Sequence, residues 1–241
     1  MKKYELTKET KTLTDGTVLH RIRALMNIPM HGVKYGDIGG LIENYDNLSQ
    51  DGDAWVYGDA WVYGDALVSG DAKVSGNAWV YGNAWVRGDA LVSGNAEVSG
   101  NAEVFGNAWV FGNALVYGDA KVSGDALVSG DAKVSGNAEV FGNAWVRGNA
   151  LVSGDALVSG DAKVSGNADY MVIKNIWSSG RWFTYTRSNK KWKVGCFYGT
   201  GEELIKKAYA DSEVSGKCYE AIVRAIEAIE AAKAEAKGEA K

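Results

Sequence analysis

Over half of the chain, small or branched apolar residues alternate with variable residues in a strict period of six. From Gly52 to Ser165, nineteen consecutive units read Gly-(Asp/Asn)-Ala-x-Val-x without interruption. Ala and Val stand two apart, so in an extended strand they face one side and the x residues face the other. Gly-Asx pairs enter left-handed backbone conformations at low cost and are typical of corners. The pattern predicts short strands, each with one apolar face, joined by tight corners.

A fixed short period is typical of a solenoid, and a period of six is typical of a parallel β-helix. Three strands and three corners make a triangular coil of eighteen residues, so nineteen units give just over six coils. Stacked coils pair in parallel about 4.8 Å apart. The Ala and Val columns are expected to fill the interior.

The array resembles the left-handed parallel β-helix of the hexapeptide-repeat proteins, and this resemblance implies a left-handed winding. The general rule for β-crossovers alone would favour the right hand. One departure is that the family's usual glycine directly follows the aliphatic residue, whereas here it comes one place later.

The predicted fold is mainly β, with three regions: an N-terminal β cap (residues 1–51), the β-helix (52–169) and a C-terminal α+β module (170–241). Asp15-Gly16 predicts a hairpin turn in the cap. In the module, a hairpin is expected over Arg181–Tyr198. The capping box Thr200-Gly-Glu-Glu203 begins a helix over about 201–210, and an amphipathic helix follows. The last ten or so residues are expected to fray.

Charge is distributed unevenly along the chain. The net charge is −4 overall, −7 over Gly52–Ser165 and +4 over Tyr170–Lys241, counted from the sequence. The acidic array argues against DNA binding along its faces. Cys196 and Cys218 make no disulfide framework and are expected to be buried thiols. No segment approaches the apolar length of a membrane span, so a soluble, cytoplasmic protein is expected.

Strings outside and across the array carry a closer resemblance. YELT, LHRIRAL, GDIGGLIE, NLSQDGDAWVYGDA and GCFYGTGEELIKKAYADSE resemble uncharacterised hexapeptide-repeat proteins encoded in phages and prophages. The resemblance implies a virus-derived protein in a bacterial cytoplasm. It brings no established reaction, catalytic residue or cofactor.

The array offers few residues that could support catalysis. Many hexapeptide-repeat proteins are acyltransferases with a histidine base, and others are carbonic anhydrases that hold zinc with three histidines. Here the array contains no histidine, and His20 and His31 both precede it. Without a base or a metal triad, we expect no enzyme, no metal and no cofactor. Acyl transfer stays as a disfavoured alternative, and a calcium column at the corner aspartates is a weak one.

Sorting the outward x residues into three columns defines three faces. The first face comprises Trp55, Lys73, Leu91, Trp109, Leu127, Trp145 and Lys163. The second comprises Trp61, Trp79, Glu97, Leu115, Lys133 and Leu151. The third comprises Leu67, Trp85, Glu103, Lys121, Glu139 and Leu157, and its acid–base–acid ladder is typical of a solvated surface.

The first face carries a candidate interface. Leu91, Trp109, Leu127 and Trp145, which we call the apolar stripe, follow one another in four successive coils, and Phe111 and Arg147 flank them. A contiguous apolar patch with Trp and Arg is typical of a binding surface. The stripe predicts self-association, and the resemblance to hexapeptide-repeat proteins, many of which are trimers, implies a closed homo-oligomer, a dimer or a trimer. The alternative is that the indoles only shield the strands.

A second candidate is a basic–aromatic patch in the C-terminal hairpin. Its members are Arg181, Trp182, Tyr185, Arg187, Lys191 and Trp192. Such a mixture is typical of sites for single-stranded nucleic acid or nucleotides. The alternative is that alternate aromatic residues pack inward while the basic residues face water.

The sequence therefore predicts a non-enzymatic, rigid binding or assembly scaffold. Inhibition of a host protein or defence signal would be one form of it, implied only by the resemblance to phage proteins. Nucleotide or nucleic-acid binding through the hairpin is the alternative function.

Overall fold

The computed structural model describes residues 2–175 and 180–238, with side chains as far as residue 235. The chain divides into two compact units, residues 1–170 and 171–241. The first unit contains the segment predicted as a cap together with the whole repeat array. The second contains the segment predicted as an α+β module.

The first unit begins with three longer strands and continues with nineteen strands of two residues each. The longer strands are β1 (Tyr4–Thr12), β2 (Val18–Ala24) and β3 (Ile38–Ile42). The short strands are β4 (Trp55–Val56), β5 (Trp61–Val62), β6 (Leu67–Val68), β7 (Lys73–Val74), β8 (Trp79–Val80), β9 (Trp85–Val86), β10 (Leu91–Val92), β11 (Glu97–Val98), β12 (Glu103–Val104), β13 (Trp109–Val110), β14 (Leu115–Val116), β15 (Lys121–Val122), β16 (Leu127–Val128), β17 (Lys133–Val134), β18 (Glu139–Val140), β19 (Trp145–Val146), β20 (Leu151–Val152), β21 (Leu157–Val158) and β22 (Lys163–Val164). Single 3-10 turns lie at Pro29–His31, Tyr45–Asn47 and Asn167–Asp169.

Every third short strand pairs in parallel with the same register, so the array forms three sheets. Leu91 pairs with Trp109, for example, and the Leu91 amide donates to the Ala108 carbonyl at 2.9 Å. The inward Ala and Val side chains of the array are at most 1% exposed. The predicted parallel β-solenoid with an Ala/Val interior is confirmed. Its left-handed winding stays a prediction that rests on the resemblance.

Coil stacking begins before the first regular unit. Strand β3 pairs in parallel with β5, with Leu41 opposite Trp61, and Leu48 forms a parallel bridge with Val68. These pairs are spaced by twenty residues instead of eighteen. The antiparallel hairpin β1–β2 extends the same sheet beyond β3. Residues 38–48 thus supply most of an additional, irregular coil.

The corners depend on glycine for two reasons. Every corner glycine from Gly52 to Gly160 has φ between 57° and 77°, the left-handed region that disfavours other residues. The glycines of successive coils also lie against each other: a Cβ built on Gly100 would lie 2.9 Å from the Gly118 nitrogen. Both the conformation and the coil spacing therefore exclude a side chain here.

Asn and Asp at the corners form hydrogen-bonded ladders. The Asn77 amide donates to the Asn95 side chain at 3.2 Å, Asn95 donates to Asn113 at 3.0 Å, and Asn113 donates to Asp131 at 2.9 Å. An amide can donate to the next coil and accept from the previous one, whereas a carboxylate only accepts. This run of amide donors therefore ends at the carboxylate of Asp131.

Lys3 covers one edge at the N-terminal end of the array. Amides of each coil donate to carbonyls seventeen residues later, so the first regular coil presents carbonyls that lack a preceding regular coil. The Lys3 Nζ donates to the carbonyls of Gly52 at 3.1 Å and Ala54 at 3.0 Å. Lys3 is only 2% exposed. Its burial stabilises an edge that could otherwise pair with another chain.

Two further side chains cover the other edges. Arg21 Nη1 donates to the Gly58 carbonyl at 2.6 Å. Asn47 Nδ2 donates to the Gly64 carbonyl at 2.8 Å and the Ala66 carbonyl at 2.9 Å. Together with Lys3, one donor-bearing side chain serves each of the three edges of the first coil. The cap therefore satisfies carbonyls with donors.

Near the end of the array, side chains accept hydrogen bonds from backbone amides instead of donating them to carbonyls. The Leu151 amide donates to Asn167 Oδ1 at 2.8 Å, and the Ser165 amide donates to Asp169 Oδ2 at 2.7 Å. Amides that have no following coil thus find side-chain acceptors. Both ends of the solenoid satisfy backbone groups with polar side chains, as buried or edge backbone groups require.

The second unit combines a small sheet with two helices. Its elements are β23 (Tyr170–Lys174), β24 (Trp182–Thr186), β25 (Lys191–Val194), β26 (Phe197–Gly199), α1 (Gly201–Asp211) and α2 (Glu213–Gly238). The capping box at Thr200 and Glu203 is present. The predicted second hairpin strand is interrupted at Gly195, where φ is 55°. Helix α2 continues to Gly238, into the segment expected to fray, because Ala, Glu and Lys are strong helix formers. The rest of that segment, residues 239–241, lies outside the described residues.

Replacing Gly100 by Ala tests the corner constraint against a matched control. Gly154 also has a positive φ (67°), but a Cβ there meets no atom within 4 Å. Gly154→Ala should cost about 1–2 kcal/mol for the backbone conformation alone. Gly100→Ala should cost clearly more, because the methyl group also meets the next coil. Thermal unfolding of both variants checks the order, and equal losses would contradict the close approach.

Stability should depend on the protonation of Lys3. Burial lowers the pKa of Lys3 to about 8, and Asp53, Asp51 and Asp71 only partly oppose the shift. Between that value and the usual pKa near 10.5, the unfolded chain binds more protons, so stability rises with pH. From pH 7.5 to 9.5, wild type should gain about 2 kcal/mol relative to Lys3→Met. Unfolding midpoints across this range measure the gap, and a constant gap would contradict the assignment.

Candidate binding surfaces

The apolar stripe forms one unbroken column on the first face. Leu91 pairs with Trp109, Trp109 with Leu127, and Leu127 with Trp145. Trp109 is 47% exposed, while the other three side chains are half-buried. Side chains directly opposite on adjacent strands contact each other. The structure therefore brings the four predicted stripe residues together on one surface.

Arg147 and Ser129 order the far end of the stripe. The Arg147 guanidinium lies 4.5 Å from the centre of the Trp145 ring, and the Trp145 Nε1 donates to Ser129 Oγ at 3.3 Å. Arg147 also donates to Ser165 Oγ at 3.0 Å. Phe111 is half-buried. The indole at this end is thus held in one orientation, which lowers the entropy cost of contacting a partner.

The third face is charged, as its sequence predicts. Glu103 lies 3.0 Å from Arg87 and 3.4 Å from Lys121. The hydrogen bond from Arg87 holds the pKa of Glu103 below its usual value, and Lys121 adds to the effect. Trp85, in the same column, is 48% exposed. This face provides a charged surface against which the stripe can be compared.

The basic–aromatic patch is divided between core and surface. Tyr185 is 7% exposed and Trp192 is 2% exposed, and both belong to the core of the second unit. That core comprises Phe183, Tyr185, Trp192, Val194, Leu204, Ile205, Val223 and Ile226. The hypothesis that bases stack on Tyr185 and Trp192 is therefore corrected. Because side chains alternate along each strand, these two rings face inward and pack against the helices.

The basic residues of the patch have acidic partners or other contacts. Arg187 pairs with Glu230 at 2.8 Å, and the Lys191 Nζ lies 3.9 Å from Glu203. Trp182 is half-buried and Arg181 is exposed. A hollow of about 540 Å³ borders Tyr185 and Trp192, and its walls carry Arg187, Lys190 and Lys233 as well as Glu227 and Glu230. Its charges nearly balance, so it has no strong preference for an anion.

Both histidines contact backbone carbonyls. His31 is half-buried, and its Nε2 lies 2.9 Å from the Asp71 carbonyl oxygen. The Tyr57 hydroxyl donates to the His31 carbonyl at 2.7 Å. His20 Nδ1 lies 3.3 Å from the Thr7 carbonyl. His31 thus anchors its loop to the solenoid.

The described part of the chain contains neither a cluster of metal ligands nor a disulfide. Within residues 2–175 and 180–238, no group of three His, Cys, Asp or Glu side chains is placed to hold a metal ion. Both cysteines are free; Cys218 is half-buried and Cys196 is exposed. The expectation of a buried thiol is therefore wrong for Cys196, which lies in the turn between β25 and β26.

An aromatic cluster on the second face was missed as a candidate. We define it as Trp61, Tyr63, Trp79 and Tyr81. The two indoles stack with centroids 4.8 Å apart, and the two tyrosines stack at 5.1 Å. The signal was present in the sequence, because Trp-Val-Tyr occurs in units eighteen residues apart. Only the structure shows that hollows border Trp61, Tyr63 and Trp79.

Comparison with known proteins supports the architecture and little else. A family model described as the YdcK beta solenoid repeat matches residues 72–88. That length is about one coil of the array, and the match and the stacked coils agree on a β-solenoid repeat protein. No curated protein matches the chain. Among the described residues, neither helix combines the length and apolarity needed to cross a bilayer.

Truncating Trp192 tests the core assignment of the patch. Trp192→Ala removes a buried ring and should destabilise the second unit by about 3–5 kcal/mol. Trp182→Ala, in the same hairpin but half-buried, should cost about 1 kcal/mol or less. Chemical unfolding followed by fluorescence measures both. Equal, small losses would mean that Trp192 is not a core residue.

Proposed function

We propose that this chain is a non-enzymatic, rigid β-solenoid scaffold that binds a partner through the apolar stripe, the first partner being a second copy of itself. The observation that carries the proposal is the register of the stripe. Four large apolar side chains occupy adjacent strands, and Trp109 at their centre is 47% exposed. A contiguous exposed patch of this kind is typical of an interface.

Energetics support self-association. Fully burying a large apolar side chain contributes roughly 1.5–3 kcal/mol. In a symmetric interface between two identical stripes, each stripe residue is buried in both protomers, so this contribution counts once for each chain. Repeated, hydrogen-bonded coils need little rearrangement on binding, which lowers the cost of association. The charged third face, with Glu103 and Lys121, stays in water.

The lack of catalysis is part of the proposal. His20 and His31 contact backbone carbonyls through ring nitrogens, and His31 fixes a loop. Acyl transfer by a histidine base would require one of them to reach a substrate. Incubation of the purified chain with acetyl-CoA and an acceptor amine should release no thiol above background.

The setting of the scaffold is proposed from resemblance. The strings that resemble those of phage and prophage hexapeptide-repeat proteins support action in a bacterial cytoplasm. A scaffold made by a virus there is suited to bind a host protein or a defence signal. The apolar stripe, or its oligomer, would supply the contact.

Light scattering tests the self-association. Wild type at micromolar concentration should be a dimer or a trimer, and Trp109→Glu/Trp145→Glu should be a monomer, because each interface would bury unpaired carboxylates. Trp85→Glu is the matched control, since Trp85 is 48% exposed on the third face. It should keep the wild-type mass. A monomeric wild type would rule out self-association through the stripe.

A further inference from the structure

The aromatic cluster of the second face is rigidly held. The Trp61 and Trp79 rings are inclined by only 6°, and the Tyr63 and Tyr81 rings by 4°. The Lys11 Nζ lies 4.2 Å from the centre of the Trp61 ring. Trp61 is therefore contacted on one face by Trp79 and approached by a cation. Trp79, by contrast, is 39% exposed.

Trp79 is the common wall of three hollows, which we call the trough. Their volumes are about 550, 330 and 230 Å³. The first two share Lys11 and Trp61 as well as Trp79, and the first and third share Asn77. The hollows thus run side by side around one exposed indole. The largest has the size of a small-molecule site.

The polar groups in the largest hollow are balanced in charge. Glu9 and Asp59 carry negative charge, and Lys11 and Arg21 carry positive charge. Arg21 lies 3.0 Å from Glu9 and 3.5 Å from Asp59. A bound phosphate or carboxylate would need positive charge that is not already compensated. A bound cation would meet the opposite difficulty.

The donors and acceptors of the trough favour a ligand that does both. Carboxylates accept only, guanidinium donates only, and the Asn77 amide and Thr10 hydroxyl, which also line the hollow, do both. A sugar hydroxyl can donate to Glu9 or Asp59 and accept from Arg21. The apolar C–H face of a pyranose ring can pack on the exposed indole of Trp79.

We propose that the trough binds a neutral oligosaccharide, with Trp79 under a sugar ring and Glu9, Arg21, Asp59 and Asn77 around its hydroxyls. The succession of three hollows suits several linked sugar units. This site is on a different face from the apolar stripe, so it stands or falls independently of self-association.

Isothermal titration with cellohexaose, maltohexaose and chitohexaose as probes tests the site. Wild type should bind at least one of them, with an affinity that changes little with salt. Trp79→Ala should weaken that binding by about tenfold or more. Trp79→Phe, which keeps an aromatic face, should retain most of it. Trp85→Ala, which removes an indole that is 48% exposed on the third face, is the control and should bind like wild type.

Three results would overturn the proposal. Wild type could bind none of the three oligosaccharides. Trp85→Ala could lose binding as much as Trp79→Ala does. ATP could bind in the trough more tightly than the sugars and weaken with salt, which would identify an anion site instead. Circular dichroism of Trp79→Ala and Trp79→Phe shows whether the fold is intact, and the wild-type titrations decide the matter if it is not.

Discussion

The backbone hydrogen bond from each coil to a carbonyl seventeen residues later is the interaction on which the rest of the structure depends. It can repeat only if each corner returns the chain to the same position, and the left-handed glycines such as Gly100 make that return possible. Because the bonds repeat without a bulge, every residue lies above its equivalent eighteen positions earlier. The packing of the interior and the composition of the three outward faces follow from this alignment.

Because equivalent residues of successive coils are stacked, the sequence forms columns, and the columns differ in the residues that they contain. The inward columns are Ala and Val and hold the coils together. In the corner columns, an amide such as that of Asn113 donates to a side chain of the next coil such as Asp131. The outward columns give a stripe, an aromatic cluster and a charged ladder on three faces. A rigid scaffold with distinct faces can bind different ligands without changing shape.

The repeat period predicted the strands, the register and the face of every outward residue, because a strict period leaves one arrangement. The ends were not predictable in this way, since they have no repeat. Lys3, for example, lies outside any repeat, and it is buried against the carbonyls of Gly52 and Ala54. In the C-terminal hairpin the composition suggested stacking platforms, whereas the helices cover Tyr185 and Trp192. Charge and aromatic content alone do not show which side of a short strand is covered.

Chemical cross-linking at the stripe tests most directly whether the first face is an interface. In a Cys196→Ser/Cys218→Ser background, Leu127→Cys places a single thiol in the centre of the stripe, and Lys121→Cys places one on the charged third face. A short bis-maleimide should link Leu127→Cys chains to each other in high yield and leave Lys121→Cys chains without covalent links, as read on a denaturing gel. Equal yields from the two variants, or none from Leu127→Cys, would contradict an interface at the stripe.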